Sequence, residues 1–271
     1  MEEKIRQFRE DVWDYYARHA RVMPWRIINT DGTVNAYHVL VSEVMLQQTQ
    51  VQRVIPKFKS FTTVFPTIHD LAHASLGDVI RQWQGLGYNR RAKFLWESAR
   101  IICDTHAGSV PLKEKELVAL PGIGTNTAAA ILCYANNIPV AFIETNIRTV
   151  YIHTFFDDSY DVSDAEILTL VERTCDRHDP RNWYWALMDY GTFLKNTVGN
   201  KARQSKSYTV QSAFKGSLRQ LRGQVLSLLS QSSHSLDSIQ SIIADTRLMS
   251  VMYSLEEEGF IKKHNNWYEL A

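Results

Sequence analysis

Leu120-Pro121-Gly122-Ile123-Gly124-Thr125-Asn126-Thr127-Ala128 is the stretch on which the reading of this chain turns. It lies between a helix-forming segment, Lys113 to Ala119, and an alanine-rich one that runs to Tyr134. Two glycines around one aliphatic residue let a tight hairpin come close to another backbone, and the start of the following helix offers unpaired N–H groups to a phosphate. The pattern predicts a helix–hairpin–helix unit with Gly122, Ile123 and Gly124 as its turn. The plainer alternative is an ordinary helix–helix connection.

Outward from this unit, apolar residues recur at helical spacing, and period-two β-branched runs are nearly absent before residue 258. The fold class is therefore mostly α. Glu2 to Ala20 places Ile5, Phe8, Val12, Trp13 and Tyr16 on one face, and Pro24, Pro56, Pro66, Gly85/Gly87, Pro111, Pro121 and Pro139 are expected to mark helix ends. Near the C-terminus, helical patterns at Leu218–Leu229, Leu236–Ile243 and Thr246–Glu257 precede two strand-like segments around Asn265-Asn266. That order suggests a small winged-helix-like domain, whose third helix ends in Glu256, Glu257 and Glu258. The expected division is a helical domain over 1–207, a basic linker over 208–216 and the winged-helix-like domain over 217–271.

With 271 residues, 45% of them hydrophobic, the chain can bury a sizeable core, which excludes a disordered protein. Lys+Arg 30 against Asp+Glu 29 leaves a net charge of +1, so a nucleic-acid surface has to be a local patch. One exists: no Asp or Glu occurs from Tyr190 to Leu236, whereas Lys195, Lys201, Arg203, Lys206, Lys215, Arg219 and Arg222 all do. Phosphate contact is the favoured reading of this segment, a solvated linker the other. Cys103, Cys133 and Cys175 show no C-x-x-C spacing, so neither a disulfide framework nor a zinc site is indicated. No apolar run is long enough for a membrane span and the charged start does not resemble a signal peptide, so a cytoplasmic protein is expected.

Two carboxylates carry the candidate chemistry. Glu43 sits in Val39-Leu40-Val41-Ser42-Glu43-Val44-Met45-Leu46, where apolar neighbours should raise its pKa as a general acid requires; the alternative is a helix-face acid that is exposed or paired with Arg26. Glu144 precedes a helix that Thr145 or Asn146 is expected to cap, a position that favours an anion. One carboxyl in an apolar setting and one in a polar setting suit cleavage of a glycosidic bond, in which one protonates the leaving group and the other stabilises an oxocarbenium ion.

Met23-Pro24-Trp25-Arg26, Ser42-Glu43-Val44-Met45-Leu46-Gln47-Gln48-Thr49-Gln50-Val51, Gly85-Leu86-Gly87-Tyr88, Leu120-Pro121-Gly122-Ile123-Gly124 and Ala186-Leu187-Met188-Asp189-Tyr190-Gly191 occur in the order found in MutY-type adenine DNA glycosylases, which this chain resembles over about residues 8–195. The resemblance implies a helix–hairpin–helix glycosylase fold of two helical lobes, approximately 30–134 and 1–29 plus 135–207, with the flipped base held in the cleft between them. It implies that Glu43 protonates the adenine ring and activates water, that Glu144 stands where the family has its catalytic Asp, and that Asn146 supports them. It likewise implies a base pocket lined by Trp25 and Arg26, a phosphate-binding hairpin at Gly122–Gly124, and duplex wedging by Gln48 and Tyr88.

The departures matter equally. Glu144-Thr145-Asn146-Ile147 replaces the family's D-G-N-V, lengthening the carboxylate by one methylene. Asn126 stands where bifunctional relatives carry a Schiff-base lysine, so a β-lyase step is not expected, and Asn126 becomes a candidate pocket residue. Thr192 to Ser207 contains none of the four cysteines that ligate the family's iron–sulfur cluster; no cofactor and no metal are expected, with Lys195, Lys201, Arg203 and Lys206 taking over phosphate contact. The resemblance leads to the expectation that the winged-helix-like segment stands in place of the family's Nudix-like domain. The expectation is a monomeric, nucleoid-associated, monofunctional enzyme that acts on double-stranded DNA and removes adenine mispaired with 8-oxoguanine or guanine. The alternatives are a thymine or uracil mismatch glycosylase acting opposite guanine and a catalytically weakened lesion-binding protein.

Overall fold

The computed structural model describes residues 1–156 and 161–271. In chain order the helices are α1 (Glu2–His19), α2 (Ala36–Leu46), α3 (Val51–Val64), α4 (Ile68–His73), α5 (Leu76–Trp83), α6 (Arg90–His106), α7 (Glu114–Val118), α8 (Thr125–Asn136), α9 (Thr145–Phe155), α10 (Asp164–Thr174) and α11 (Pro180–Thr197). A 3₁₀ turn at Lys201–Gln204 follows, and then α12 (Leu218–Leu229), β1 (His234–Ser235), α13 (Leu236–Ile242), α14 (Leu248–Glu257), β2 (Ile261–His264) and β3 (Trp267–Leu270). The mostly α reading holds, for the reason the periodicity suggests: α1 buries Ile5, Phe8 and Val12 from one stripe. Helix starts follow local chemistry, with reciprocal capping boxes at Thr67/Asp70 and Ser163/Glu166.

Three local expectations are corrected. Pro56 does not end a helix but lies inside α3, whose buried Val54, Phe58 and Phe61 hold the helix through the missing N–H. The C-terminal hairpin gains a third strand, since β1 pairs with β3 through His234↔Tyr268 and Ser235↔Trp267, giving the antiparallel order β1-β3-β2. Two residues are too short for a period-two signal. Neither Thr145 nor Asn146 caps α9; Glu144 is itself the N-cap, in extended backbone, and its side chain makes no capping bond.

The chain divides by compactness into two units. The first comprises Met1–Leu40, Leu112–Val118 and Ile123–Val210. Its core is aromatic: Phe142 stacks on Tyr184 at 4.2 Å, and Phe8 meets Tyr151 and Trp183 at 5.3 and 5.9 Å. In this unit the basic run after α11 is folded, because Val162 donates to Gln204 O at 3.0 Å and Lys206 donates back to Val162 O at 2.9 Å. Ala202 and Ser205 are buried, while Lys195, Arg203 and Lys206 stay exposed.

The second unit comprises Val41–Pro111, Ala119–Gly122 and Gln211–Ala271. Compactness thus groups the C-terminal elements with α3–α6. The join is specific: Glu258 accepts from Arg90 Nε at 2.8 Å and from both terminal nitrogens of Arg222 at 2.9 Å, and the Gly77 amide donates to Ala271 O at 2.7 Å. Arg90 foremost, with Arg222 and Ser254, holds the Glu258 carboxyl down to about 2. The acidic end of α14 is therefore an internal anchor, and Arg222, although it lies in the acid-free stretch, is paired within the unit.

Candidate functional site

In the first unit the residues around Glu144 are set by three neighbours. Asn126, in the first turn of α8, donates from its side-chain amide to Ile143 O at 3.2 Å. Phe142 and Ile143 are buried, so the extended segment before Glu144 is held on both sides. Behind it Gly191 of α11 packs on the start of α9; a Cβ at Gly191 would stand 2.4 Å from Asn146 O. Only a glycine lets α11 come this near, which accounts for the last residue of the Ala186–Gly191 motif.

Desolvation pushes the Glu144 carboxyl up to about 7, with the Arg26 guanidinium pulling the other way. The carboxylate expected in a polar, anion-favouring setting is thus strongly dehydrated. Although Glu144 is the N-cap of α9, its side chain makes no capping bond to the α9 amides, so those donors do not offset its loss of water.

Arg26 is itself fixed. Its Nη1 donates to both oxygens of Asp189 at 2.9 and 3.1 Å, and its guanidinium lies 5.4 Å from the Trp185 ring centroid. Asp189, 1% exposed, also accepts from the Arg21 amide at 2.8 Å and from Arg21 Nε at 2.7 Å. One buried carboxylate therefore clamps the loop that carries Trp25, which is buried, and Arg26. The motif from Ala186 to Gly191 assigns Asp189 no role by itself; a lone acid inside the apolar face of α11 is the signal that marks it.

In the second unit Glu43 is buried on α2 among Val41, Ser42, Val44 and Met45. This excludes a solvent-exposed helix acid. Beyond the end of α2, Gln47 donates from its side chain to Gly122 O at 3.3 Å, linking that turn to the hairpin. Gly122 has φ +74°, and a Cβ there would stand 2.9 Å from the Phe94 ring, so position and conformation both demand glycine. Gly124, which with Ile123 belongs to the first unit, precedes α8 as its N-cap with nothing within 4 Å of a built Cβ, an open approach to the helix N-terminus. Ile123, between them in the chain, is buried.

Gln48 and Tyr88 share an unusual property: both adopt left-handed backbone, φ +54° and +47°. Each such residue costs about 1–2 kcal/mol, which the surroundings have to offset. Gln48 is exposed and Tyr88 half-buried. The Tyr88 hydroxyl accepts from Arg219 and Gln211, and the Arg219 guanidinium lies 4.6 Å from the Tyr88 ring centroid. Arg219, like Arg222, is used inside the unit.

The residues do not fit an iron–sulfur cluster. The chain from Thr192 to Ser207 has no cysteine, Cys133 is buried in α8, and among the described residues no three His, Cys, Asp or Glu side chains gather as metal ligands. Among the described residues no helix is long and apolar enough to cross a membrane.

Residues 41–175 match the HhH-GPD superfamily of base excision DNA repair proteins. The chain is 34% identical over 192 residues to an adenine DNA glycosylase of Buchnera aphidicola subsp. Acyrthosiphon pisum, covering 69% of this chain and 53% of that protein. It is 42% identical over 136 residues to the Mycobacterium tuberculosis adenine DNA glycosylase (50% and 43% covered), and 32% identical over 232 residues to that of Mus musculus (83% and 44%). The chain spans about half the length of the curated relatives it matches. In fold it is similar to a thermostable thymine-DNA glycosylase, with TM-score 0.64 at 22% identity over 74% of this chain and 91% of that one. A non-covalent endonuclease III–DNA complex gives TM-score 0.60 at 19% identity, covering 71% and 86%. With its glycine hairpin, its Ser42–Val51 motif and these relatives, the chain belongs to the HhH-GPD superfamily of base excision DNA repair proteins and is MutY-like within it.

Proposed function

We propose that this chain is a monofunctional DNA glycosylase that hydrolyses the N-glycosidic bond of adenine mispaired with 8-oxoguanine or guanine in double-stranded DNA. The observation that carries the proposal is the combination of a buried acid on an apolar helix, Glu43, with a second carboxyl, Glu144, that desolvation pushes up to about 7. In this reading protonated Glu43 gives its proton to a ring nitrogen of the flipped adenine, the C1′–N9 bond breaks, and the base leaves with the bonding pair. Ionised Glu144 stabilises the oxocarbenium ion; water then adds at C1′ and returns a proton to Glu43.

Asn146 holds the start of α9 beside Glu144, and Trp25 and Arg26 line the base pocket. Gly122, Ile123 and Gly124, with Lys195, Lys201, Arg203 and Lys206, take the phosphates. Gln48 and Tyr88 enter the stack where the base leaves. Asn126 carries no amine for a Schiff base, and its amide is committed to Ile143 O, which supports hydrolysis without strand cleavage. We infer in addition that the enzyme works without a metal cluster, as a monomer, where the chromosome is.

The test is a set of duplexes, each with one A:8-oxoguanine, A:G, G:T or G:U pair, incubated with the protein and then cleaved with alkali at any abasic site. Cleavage at the adenines is expected, and Glu43→Gln should lower it ~10²–10⁴-fold while duplex binding persists. Release from G:T or G:U instead, or tight binding with no release from any duplex, would overturn the proposal.

A further inference from the structure

Gln48 and Tyr88 sit on separate loops, one after α2 and one before α6, and each holds a left-handed conformation that its own side chain does not favour. A single buried side chain joins the loops. Arg91 Nη1 donates to Val44 O at 2.9 Å, Met45 O at 2.9 Å and Gln47 O at 2.6 Å, the carbonyls that end α2. Its Nη2 donates to Thr49 Oγ1 at 3.0 Å, Leu86 O at 3.2 Å and Gly87 O at 3.1 Å. These acceptors flank Gln48 on both sides and run up to Tyr88. The guanidinium also lies 5.6 Å from the Tyr88 ring centroid and 5.5 Å from that of Trp83, whose indole N–H donates to Gly87 O at 3.1 Å.

The placement is unfavourable in itself. Arg91 is 8% exposed, its Nε has no partner, and its six hydrogen-bond acceptors are all neutral oxygens: burial brings its pKa down to about 10. A buried cation satisfied only by neutral oxygens is a poor device for stability alone. What it supplies is geometry, because a planar fork of donors fixes two loops at once, which the point charge of lysine does not. We propose that Arg91 is the positioning residue of the duplex wedge: it holds Gln48 and Tyr88 at a fixed separation and in the backbone conformation from which both enter the stack. This rests on the proposed wedging role of those two residues.

The probes are two duplexes bearing one 2′-fluoro-deoxyadenosine, opposite 8-oxoguanine in one and opposite thymine in the other; the fluorine blocks bond cleavage during titration. The readout is the ratio of the two affinities. In the full chain Arg91→Lys should keep native circular dichroism yet reduce the ratio about tenfold, as expected when a recognition group is misplaced without being removed. Thr49→Val removes one of the six acceptors, leaves the charge in place, and should cause a smaller reduction of the same kind; it keeps the inference testable if Arg91→Lys does not fold. Because Arg91 acts through the wedge, neither change should alter the ratio further once Gln48 and Tyr88 are both alanine. A structural role alone would lower it on either background.

A ratio unchanged in Arg91→Lys while Gln48→Ala/Tyr88→Ala lowers it overturns the positioning role and leaves the wedge intact. Reductions that multiply on the double-alanine background also overturn it. If Gln48→Ala/Tyr88→Ala itself keeps the ratio, the wedge assignment fails and this inference fails with it.

Discussion

Replacing Glu144 with glutamine should make the protein more stable at neutral pH and leave it nearly unchanged in acid. The folded state raises this carboxyl from its ordinary 4.5 to about 7, chiefly by desolvation. Between those two values the folded chain holds a proton that the unfolded chain has released, so stability falls as pH rises through the window. The stabilising contribution is complete below about 4.5 and gone above about 7. At 1.36 kcal/mol for each tenfold change in proton affinity, the window is worth about 3 kcal/mol. Glutamine matches the size of the protonated acid but never ionises, so the variant escapes this destabilisation. Urea unfolding of both proteins from about pH 4 to about pH 8 should give a stability difference near zero at the acid end that grows to about 3 kcal/mol in favour of Glu144→Gln at the alkaline end. A difference that stays flat across that range would refute the dehydrated environment assigned to Glu144. The same ionisation bears on activity: if the anion stabilises the cationic transition state, single-turnover base release should rise with pH until about 7 in the wild type.

Other outcomes follow from close approaches and charge. Gly191→Ala places a methyl group 2.4 Å from Asn146 O and should cost about 1–3 kcal/mol as α9 and α11 move apart, read by denaturant unfolding; full stability would mean that this approach is not tight. Asp189→Ala leaves Arg21 and Arg26 without their shared buried carboxylate and should destabilise by about 3–5 kcal/mol, whereas a change below about 1 kcal/mol would show that water takes over the partnership. Neutralising Lys195, Lys201, Arg203 and Lys206 together should flatten the log–log salt dependence of duplex binding by ~0.9 for each phosphate left without its cation, equally for matched and damaged DNA. An unchanged slope would return that run to a role in folding alone.

Element type was legible in the sequence because helix formation and turn chemistry are decided within a few residues. The stripe of Ile5, Phe8 and Val12 and the glycine hairpin both report on neighbours at most a turn or two away. The catalytic candidates were legible too, as a motif around Glu43 and as Glu144 before a helix start. Their environments were not. Dehydration of Glu144 depends on how α9 is set by Gly191, Asn126 and the Arg26 loop, which come from three distant parts of the chain. The acid-free stretch illustrates the same limit: composition places Arg219 and Arg222 in a basic segment read as phosphate-contacting, yet packing engages them with Tyr88 and Glu258. Arg91 gives no local signal, since its six acceptors lie 4 to 47 positions away in the chain. Desolvation and hydrogen bonding across such separations depend on which surfaces meet, and only the folded structure specifies that.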